Sequence, residues 1–119
     1  YSAEKELEAL KNLVEFDEGS AYLGEVALIS YDSPINKTGI LFYNTLFDEN
    51  ASCHLALGRA YPMNVKGGTT MSQEELAKAG ANSSMTHVDF MFGSRDMHVD
   101  GTTHDGEVVA VFRDGNFIL

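Results

Sequence analysis

The sequence predicts an α+β domain that combines a mixed, largely antiparallel sheet with two or more helices. Short apolar stretches rich in β-branched residues outnumber the segments with helical periodicity. Tight turns join the last of these stretches, which favours antiparallel pairing. The length of 119 residues fits a single domain, residues 1–119, and a hydrophobic content of 44% is sufficient for its core.

Amphipathic helices are predicted at two places. Between residues 3 and about 16, apolar residues recur at spacings of three and four among charged ones, and Ser2 precedes them as an N-cap. Further along the chain, Ser72 and Glu75 have the spacing of a capping box, which predicts a helix to about Ala79.

Strands are predicted where β-branched or aromatic apolar residues are bounded by turn residues. These segments are Glu25–Tyr31, Ile40–Leu46, Met85–Phe92, Met97–Val99, Glu107–Phe112 and Phe117–Leu119. Cys53–Leu57 is a further short apolar element that ends at Gly58. The length of the second segment also allows a helix. Asp100-Gly101 and Asp114-Gly115 are predicted as hairpin turns, so the end of the chain is expected to fold back on itself.

Charge and cysteine content argue against several classes of partner. The chain has 8 basic and 18 acidic residues, a formal net charge of −10. We therefore expect no binding to nucleic acid, which needs clustered basic residues, and no attraction to anionic membranes. The longest apolar run, Val108–Phe112, is too short to span a bilayer. Cys53 is the only cysteine, which favours the reducing cytoplasm.

His87 and Asp89 are the most informative polar residues. Both lie in an apolar segment predicted as a strand, and residues two apart share one face of a strand. An imidazole and a carboxylate on one face can bind one divalent ion, or one each of two adjacent ions. The alternative is a hydrogen bond between them that serves only the fold.

Four further polar residues are candidates for a site, and each also has an ordinary structural interpretation. They are Glu25, Glu49, His54 and Tyr61. Glu25 can be the solvent-facing start of a strand, and Tyr61 can be a core aromatic. Glu49 can belong to an acidic turn, with His54 partly buried after it. Cys53 and His54 are adjacent, so their side chains diverge and do not form a nucleophile and its base.

Three segments together resemble the signature of a known family. Leu23–Leu28, Phe47–Pro62 and Thr86–Met91 are similar, in order and spacing, to segments of the aminopeptidase T family, also called thermophilic metalloproteases. The resemblance extends over about residues 17–116. It implies a cytoplasmic homodimeric exopeptidase that removes N-terminal residues from peptide substrates with two divalent metal ions, zinc, cobalt or magnesium.

The resemblance also implies roles for individual residues. The metal ligands correspond to Glu25, Glu49, His54, His87 and Asp89. Tyr61 corresponds to a tyrosine at the metals, either a ligand or a donor to the reacting carbonyl. Glu25, in the place of a carboxylate that bridges or supports both ions, and Tyr61 are the expected catalytic residues.

The family has a further N-terminal domain and another glutamate ligand upstream of Glu25, whereas this chain starts at Tyr1 without a methionine. The resemblance therefore implies the C-terminal, metal-bearing piece of a larger two-domain enzyme. We expect this piece to fold, to bind metal weakly or at one position only, and to have no useful peptidase activity by itself.

Two other functions fit parts of the sequence. One is a non-catalytic structural or dimerisation module without bound metal, which metal content distinguishes from an enzyme. The other is a mononuclear iron oxygenase that uses His87, Asp89 and a distal histidine. His98 and His104 follow too closely for the long connection expected there, so this possibility ranks last.

Overall fold

Helices and two three-stranded sheets form the described part of the chain, residues 2–118, in the computed structural model. The helices are α1 (Leu7–Val14), α2 (Pro34–Thr38), α3 (Thr45–Asp48) and α4 (Gln73–Lys78). The strands are β1 (Leu23–Ala27), β2 (His54–Gly58), β3 (His87–Met91), β4 (Val99–Thr102), β5 (Val108–Arg113) and β6 (Asn116–Phe117). Short 3-10 helices span Glu49–Ala51, Pro62–Asn64 and Gly68–Thr70. The predicted α+β class is confirmed.

The chain divides into two compact units. Unit 1 combines the residues up to 26 with residues 55–90, and unit 2 combines residues 27–54 with those from 91 onward. Almost all of the first sheet, with strand order β1-β2-β3, lies in unit 1. Val14, Ala56 and Leu76 are buried apolar side chains of unit 1, so α1, β2 and α4 each contribute to its core.

Helix α4 has the capping box that the sequence predicts. The Ser72 hydroxyl accepts a hydrogen bond from the Glu75 N–H (3.3 Å), and the Glu75 carboxylate accepts one from the Ser72 N–H (2.8 Å). At the other end, Gly80 has a φ of 89°, and the Ala81 N–H donates to the Leu76 carbonyl (3.0 Å). This is a Schellman ending, for which glycine is the favoured residue.

The loop between α1 and β1 is tied to the segment before β3 by the Asp17 carboxylate. The Met85 N–H donates to Oδ2 (2.7 Å), and the hydroxyls of Ser84 and Ser20 each donate to Oδ1 (2.9 Å). These hydrogen bonds, above all the one from Met85, lower the pKa of Asp17 from 3.8 to about 2.

We expect Asp17 to contribute to the acid sensitivity of the protein. Its pKa is lower in the folded than in the unfolded state, so its stabilising effect is present above pH 3.8 and is lost as the pH falls toward about 2. Asp17→Asn should therefore flatten the fall of the thermal midpoint over this range, as followed by circular dichroism. Asp105→Asn, which changes a carboxylate that is 97% exposed, is the control. An equally steep fall in the Asp17 variant would contradict the expectation.

Unit 2 contains the second sheet, in which β5 pairs antiparallel with both β4 and β6. Phe112 of β5 is fully buried and meets the ring of Phe117 edge-on, with 4.2 Å between the ring centroids. Asp114 and Gly115 connect β5 to β6 with φ of 50° and 73°. Positive φ at both central residues is typical of a type I′ turn, so this predicted hairpin is confirmed.

The predicted strand Ile40–Leu46 is wrong. Residues 40–43 lie in a loop, and α3 begins at Thr45. The physical reason is the Asp48 carboxylate, which accepts the N–H groups of Phe42 (2.9 Å) and Asn44 (3.0 Å) and so folds the segment back. Tyr43 has a φ of 55°, which an extended strand does not allow.

The predicted turn at Asp100-Gly101 is also wrong, because both residues lie within β4. The chain turns later, where the Gly106 N–H donates to the Thr103 carbonyl (3.0 Å) and Gly106 has a φ of 85°. The Thr103 hydroxyl also accepts the Glu107 N–H (3.0 Å), which stabilises this later turn.

Several element boundaries differ from the prediction. Helix α1 begins at Leu7, so Ser2 is not its N-cap; Glu6 precedes the helix with a left-handed φ of 55°. Strand β1 ends at Ala27, four residues before the predicted end. The predicted last strand includes Leu119, which lies outside the described residues. None of the helices within residues 2–118 has the length and apolar character needed to cross a membrane.

Candidate metal centre

Three of the predicted ligands meet within unit 1: Glu25 on β1, and His87 and Asp89 on β3. His87 Nε2 lies 3.4 Å from Asp89 Oδ1 and 3.6 Å from Glu25 Oε2. The side chains of His87, Asp89 and Glu25 are 16%, 9% and 21% exposed, so solvent reaches the group only in part. These three residues are called the β1/β3 cluster below.

The two-residue period of β3 places His87 and Asp89 side by side, as their spacing predicts. Val88 between them is more exposed, at 37%. Glu25 reaches the cluster from β1, which β2 separates from β3. Strands two apart in a sheet are separated by about 9–10 Å, so the long side chains of glutamate and histidine are suited to closing this gap.

The ring of His87 is oriented by the main chain. Its Nδ1 lies 2.7 Å from the carbonyl oxygen of Arg59, which can only accept a hydrogen bond. In the neutral form of the ring the proton therefore lies on Nδ1, and Nε2, which faces the two carboxylates, carries the lone pair. A histidine that donates its other ring N–H to a carbonyl is the usual arrangement of a metal ligand.

One oxygen of the Asp89 carboxylate is buried without a hydrogen-bond partner in the described part of the chain. Oδ1 makes no hydrogen bond with any group in residues 2–118. Its 3.4 Å separation from His87 Nε2 exceeds the 2.7–3.2 Å range of a good N–H···O hydrogen bond. A buried carboxylate oxygen without a donor is costly, so the geometry argues against a hydrogen bond that serves only the fold and favours a bound cation.

The spacing of the donor atoms fits ligands of one metal ion. Zinc binds nitrogen and oxygen ligands at about 2.1 Å, and two such ligands of a tetrahedral ion are about 3.4 Å apart. The observed separations from His87 Nε2 are 3.4 and 3.6 Å. One imidazole nitrogen with two carboxylates suits zinc or cobalt, and the carboxylates also suit magnesium.

Tyr61 lies beside this cluster. Its ring centroid is 4.7 Å from that of His87, with the planes tilted by 45°, and the side chain is 40% exposed. Tyr61 precedes Pro62 and has the extended backbone that a following proline favours (φ −89°, ψ 130°). A tyrosine that is half-accessible next to the imidazole is available to a bound substrate, unlike a core aromatic.

The other two predicted ligands, Glu49 and His54, approach each other within unit 2. A carboxylate oxygen of Glu49 and a ring nitrogen of His54 lie within 4.8 Å. His54 is only 1% exposed, and its Nδ1 lies 2.9 Å from the Ser52 carbonyl oxygen. As in His87, a main-chain carbonyl orients the His54 ring through Nδ1.

Sequence reasoning missed two main-chain features of this region. The Arg59 carbonyl that orients His87 has no signature in the side-chain sequence. The close backbone contact at Gly24 does have a signal in the sequence, because a glycine inside a strand often marks a close approach of two backbones. A Cβ atom at Gly24 would lie 2.5 Å from the Arg59 carbonyl oxygen and closer still to that of Gly58.

An α+β chain with a histidine and two carboxylates clustered on a sheet has donor atoms suited to a divalent metal ion, and the comparison with known families points to a class of proteins that use metal. The chain belongs to the thermophilic metalloprotease (M29) family, whose profile matches residues 1–117. The family resemblance seen in the sequence is therefore confirmed.

Individual relatives are named aminopeptidases. The chain is 64% identical over 115 residues to aminopeptidase AmpS of Bacillus subtilis (strain 168), covering 97% of this chain and 28% of that protein. It is 53% identical over 117 residues to aminopeptidase 2 of Geobacillus stearothermophilus, covering 98% and 28%. The solved structure of wild-type AmpT from Thermus thermophilus matches with a TM-score of 0.84 at 48% identity, covering 98% and 28%. The chain thus spans less than a third of the length of these relatives.

Proposed function

We propose that this chain is the metal-binding part of an aminopeptidase that releases N-terminal amino acids from peptides. The observation that carries the proposal is the buried Asp89 Oδ1, which has no hydrogen-bond partner within residues 2–118 and lies 3.4 Å from His87 Nε2. Membership of a metalloprotease family, with relatives that are named aminopeptidases, supports the same function.

The donor set suits two divalent ions, zinc, cobalt or magnesium. We assign the β1/β3 cluster to one group of ligands, and Glu49 and His54 to further ligands. Divalent ions held by these residues would supply Lewis-acid chemistry, namely polarisation of a peptide carbonyl and acidification of water.

Glu25 is the proposed proton carrier among the chain's own residues. Its side chain is more exposed than that of Asp89, 21% against 9%, so it has better access to water and to a peptide. Its carboxylate would accept a proton from water and return it to the leaving amine, as a general base and then a general acid. Asp89, which is more buried, would hold metal only.

Tyr61 is the proposed donor to the oxyanion that develops on the reacting carbonyl. Removing one such donor costs about 10²–10³-fold in kcat, so we expect that loss for Tyr61→Phe in the full-length protein, with unchanged metal content. Aminoacyl-anilide hydrolysis measures the rate. Tyr43→Phe is the matched control, because Tyr43 is 90% exposed. Unchanged turnover in Tyr61→Phe would mean that Tyr61 only packs against its neighbours.

We also propose that the protein is a cytoplasmic homodimer. The single cysteine, Cys53, is fully buried and makes hydrogen bonds to the backbone of Ile29, which is compatible with a reducing compartment. The homodimer rests on the family resemblance alone. Light scattering of the purified full-length protein tests it, and a monomer at micromolar concentration would contradict it.

The alternative function is a structural or dimerisation module without metal. The exposed apolar side chains of Ile40, Leu41 and Leu46 favour this possibility, because each is at least 60% exposed.

Metal analysis together with aminoacyl-anilide hydrolysis decides between the two functions. For the full-length protein we expect about two ions per chain and activity that a chelator removes. His87→Ala should lose both metal and activity, whereas His104→Ala, at a fully exposed side chain, should retain them. A metal-free, inactive wild-type protein would support the module instead. The 119-residue chain by itself is expected to bind metal weakly or at one position only, and to have no useful peptidase activity.

A further inference from the structure

We propose that Asp17 is a positioning residue for the metal centre: its carboxylate fixes the segment Ser84–Thr86, from which β3 carries His87 and Asp89 into place. This inference rests on the proposed metal site. Asp17 itself is not a ligand, since it lies outside both groups of donor atoms described above.

Both oxygens of the Asp17 carboxylate accept hydrogen bonds. Oδ2 accepts the Met85 N–H (2.7 Å) and the Ser84 hydroxyl (3.1 Å), and Oδ1 accepts the Ser84 and Ser20 hydroxyls (2.9 Å each). Met85 and Ser84 are 68 and 67 residues away in sequence, so these bonds join two distant parts of unit 1. Hydrogen bonds to a charged acceptor are shorter and stronger than neutral ones.

The hydroxyl groups extend this contact to the residue before His87. The Thr86 hydroxyl lies 3.0 Å from the hydroxyls of both Ser20 and Ser84. On its other side, the Thr86 carbonyl accepts the Arg59 N–H (2.7 Å). Thr86 is therefore held between the Asp17 group of hydroxyls and the end of β2.

The position of this segment determines which face of the sheet the ligands occupy. A shift of one residue in a strand moves every side chain to the opposite face. His87 would then lose the Arg59 carbonyl at 2.7 Å that orients its ring, and Asp89 would leave the cluster. Because Met85 is only two residues before His87, its hydrogen bond to Asp17 anchors β3 directly at the point where the strand begins.

A carboxylate is better suited to this place than a neutral side chain. Three donors, one N–H and two hydroxyls, converge on it, and the depressed pKa of Asp17 is consistent with binding of the ionised form. In Asp17→Asn the amide oxygen can still accept the Met85 N–H, while the serine hydroxyls must reverse their roles. Asp17→Ala removes every one of these bonds.

Titration with Co²⁺ tests the inference in the full-length protein, with affinity and the visible absorption spectrum of the bound ion as readouts. Loss of a group that orients metal ligands costs about 10–100-fold in affinity, and we expect a loss of that size for Asp17→Ala together with an altered spectrum. Asp17→Asn should be weakened less. Ser72→Ala is the matched control, because it destabilises α4 in the same unit but should leave affinity and spectrum unchanged.

A purely structural role would give a different result. Asp17→Ala would then melt at a lower temperature, yet bind Co²⁺ with wild-type affinity and spectrum, and that outcome would overturn the inference. If Asp17→Ala does not fold, Asp17→Asn decides in the same way: weaker binding supports the inference and unchanged binding overturns it. A wild-type protein that binds no Co²⁺ would overturn the proposed metal site itself.

Discussion

Asp89→Asn is expected to abolish metal binding and, at the same time, to stabilise the metal-free protein. Oδ1 of Asp89 is buried without a hydrogen-bond partner within residues 2–118, and the substitution removes the charge at nearly constant shape. The amide puts a neutral atom in the place of this unpaired oxygen, and a neutral polar atom costs less to bury than a charge, so the metal-free variant should be more stable than the wild type. Activity should fall by more than about 100-fold, because even groups that merely orient ligands are worth about 10–100-fold.

Thermal melts with and without added zinc separate these two effects. The wild-type protein should gain stability from zinc, since a ligand that binds the folded state raises its midpoint. The Asp89 variant should melt higher than the wild type without zinc and show no further gain with it. Asp105→Asn is the control, at a carboxylate that is 97% exposed. A zinc-dependent gain that persists in Asp89→Asn would contradict the assignment of Asp89 as a ligand.

Gly24→Ala is expected to be strongly destabilising although it adds one methyl group. The new Cβ would lie 2.5 Å from the Arg59 carbonyl oxygen, and backbone cannot move aside as a flexible side chain can. Overpacking costs about 1–3 kcal/mol and occasionally more, and we expect the upper end here. Because the same carbonyl orients His87 at 2.7 Å, zinc affinity should fall with stability.

Chemical denaturation and zinc titration measure the two consequences of Gly24→Ala. Gly101→Ala is a matched control on β4, where the new Cβ would have its nearest neighbour at 3.6 Å, an ordinary van der Waals distance. That variant should be neutral or slightly stabilised, because alanine loses less conformational freedom than glycine in a strand. Comparable stabilities for the two variants would show that the backbones at Gly24 are not in close contact.

Local sequence patterns correctly predicted the structural elements that are determined by residues close together in the chain. The capping box of Ser72 and Glu75 and the turn at Asp114-Gly115 depend on hydrogen bonds and φ angles of neighbouring residues, and both are present. The segment Ile40–Leu46 was predicted wrongly because its apolar composition resembles a strand. The Asp48 carboxylate, two residues beyond its end, overrides that preference by accepting two of its N–H groups.

The candidate site also has features that local spacing predicts and features that it does not. The spacing of His87 and Asp89 was enough to place them side by side, since the period of a strand is a local property. The approach of Glu25 from another strand follows from the order β1-β2-β3, which no local spacing encodes. The resemblance to a family pointed to Glu25, Glu49, His54 and Tyr61, where the residue pattern by itself left ordinary structural roles open.

The sequence by itself determined the α+β class through residue type and short spacings, and the family and the candidate ligands through the resemblance of three longer segments to a known family. Only the tertiary structure decided how the candidate ligands are held. Three contacts between residues far apart in the chain hold them. The Arg59 carbonyl orients His87, the backbone at Gly24 lies close to that at Arg59, and the Asp17 carboxylate accepts a hydrogen bond from Met85 just before β3. Main-chain N–H and C=O groups make most of these contacts. Because nearly every residue carries the same main-chain groups, the sequence does not show which of them will meet a candidate ligand, and only the folded chain does.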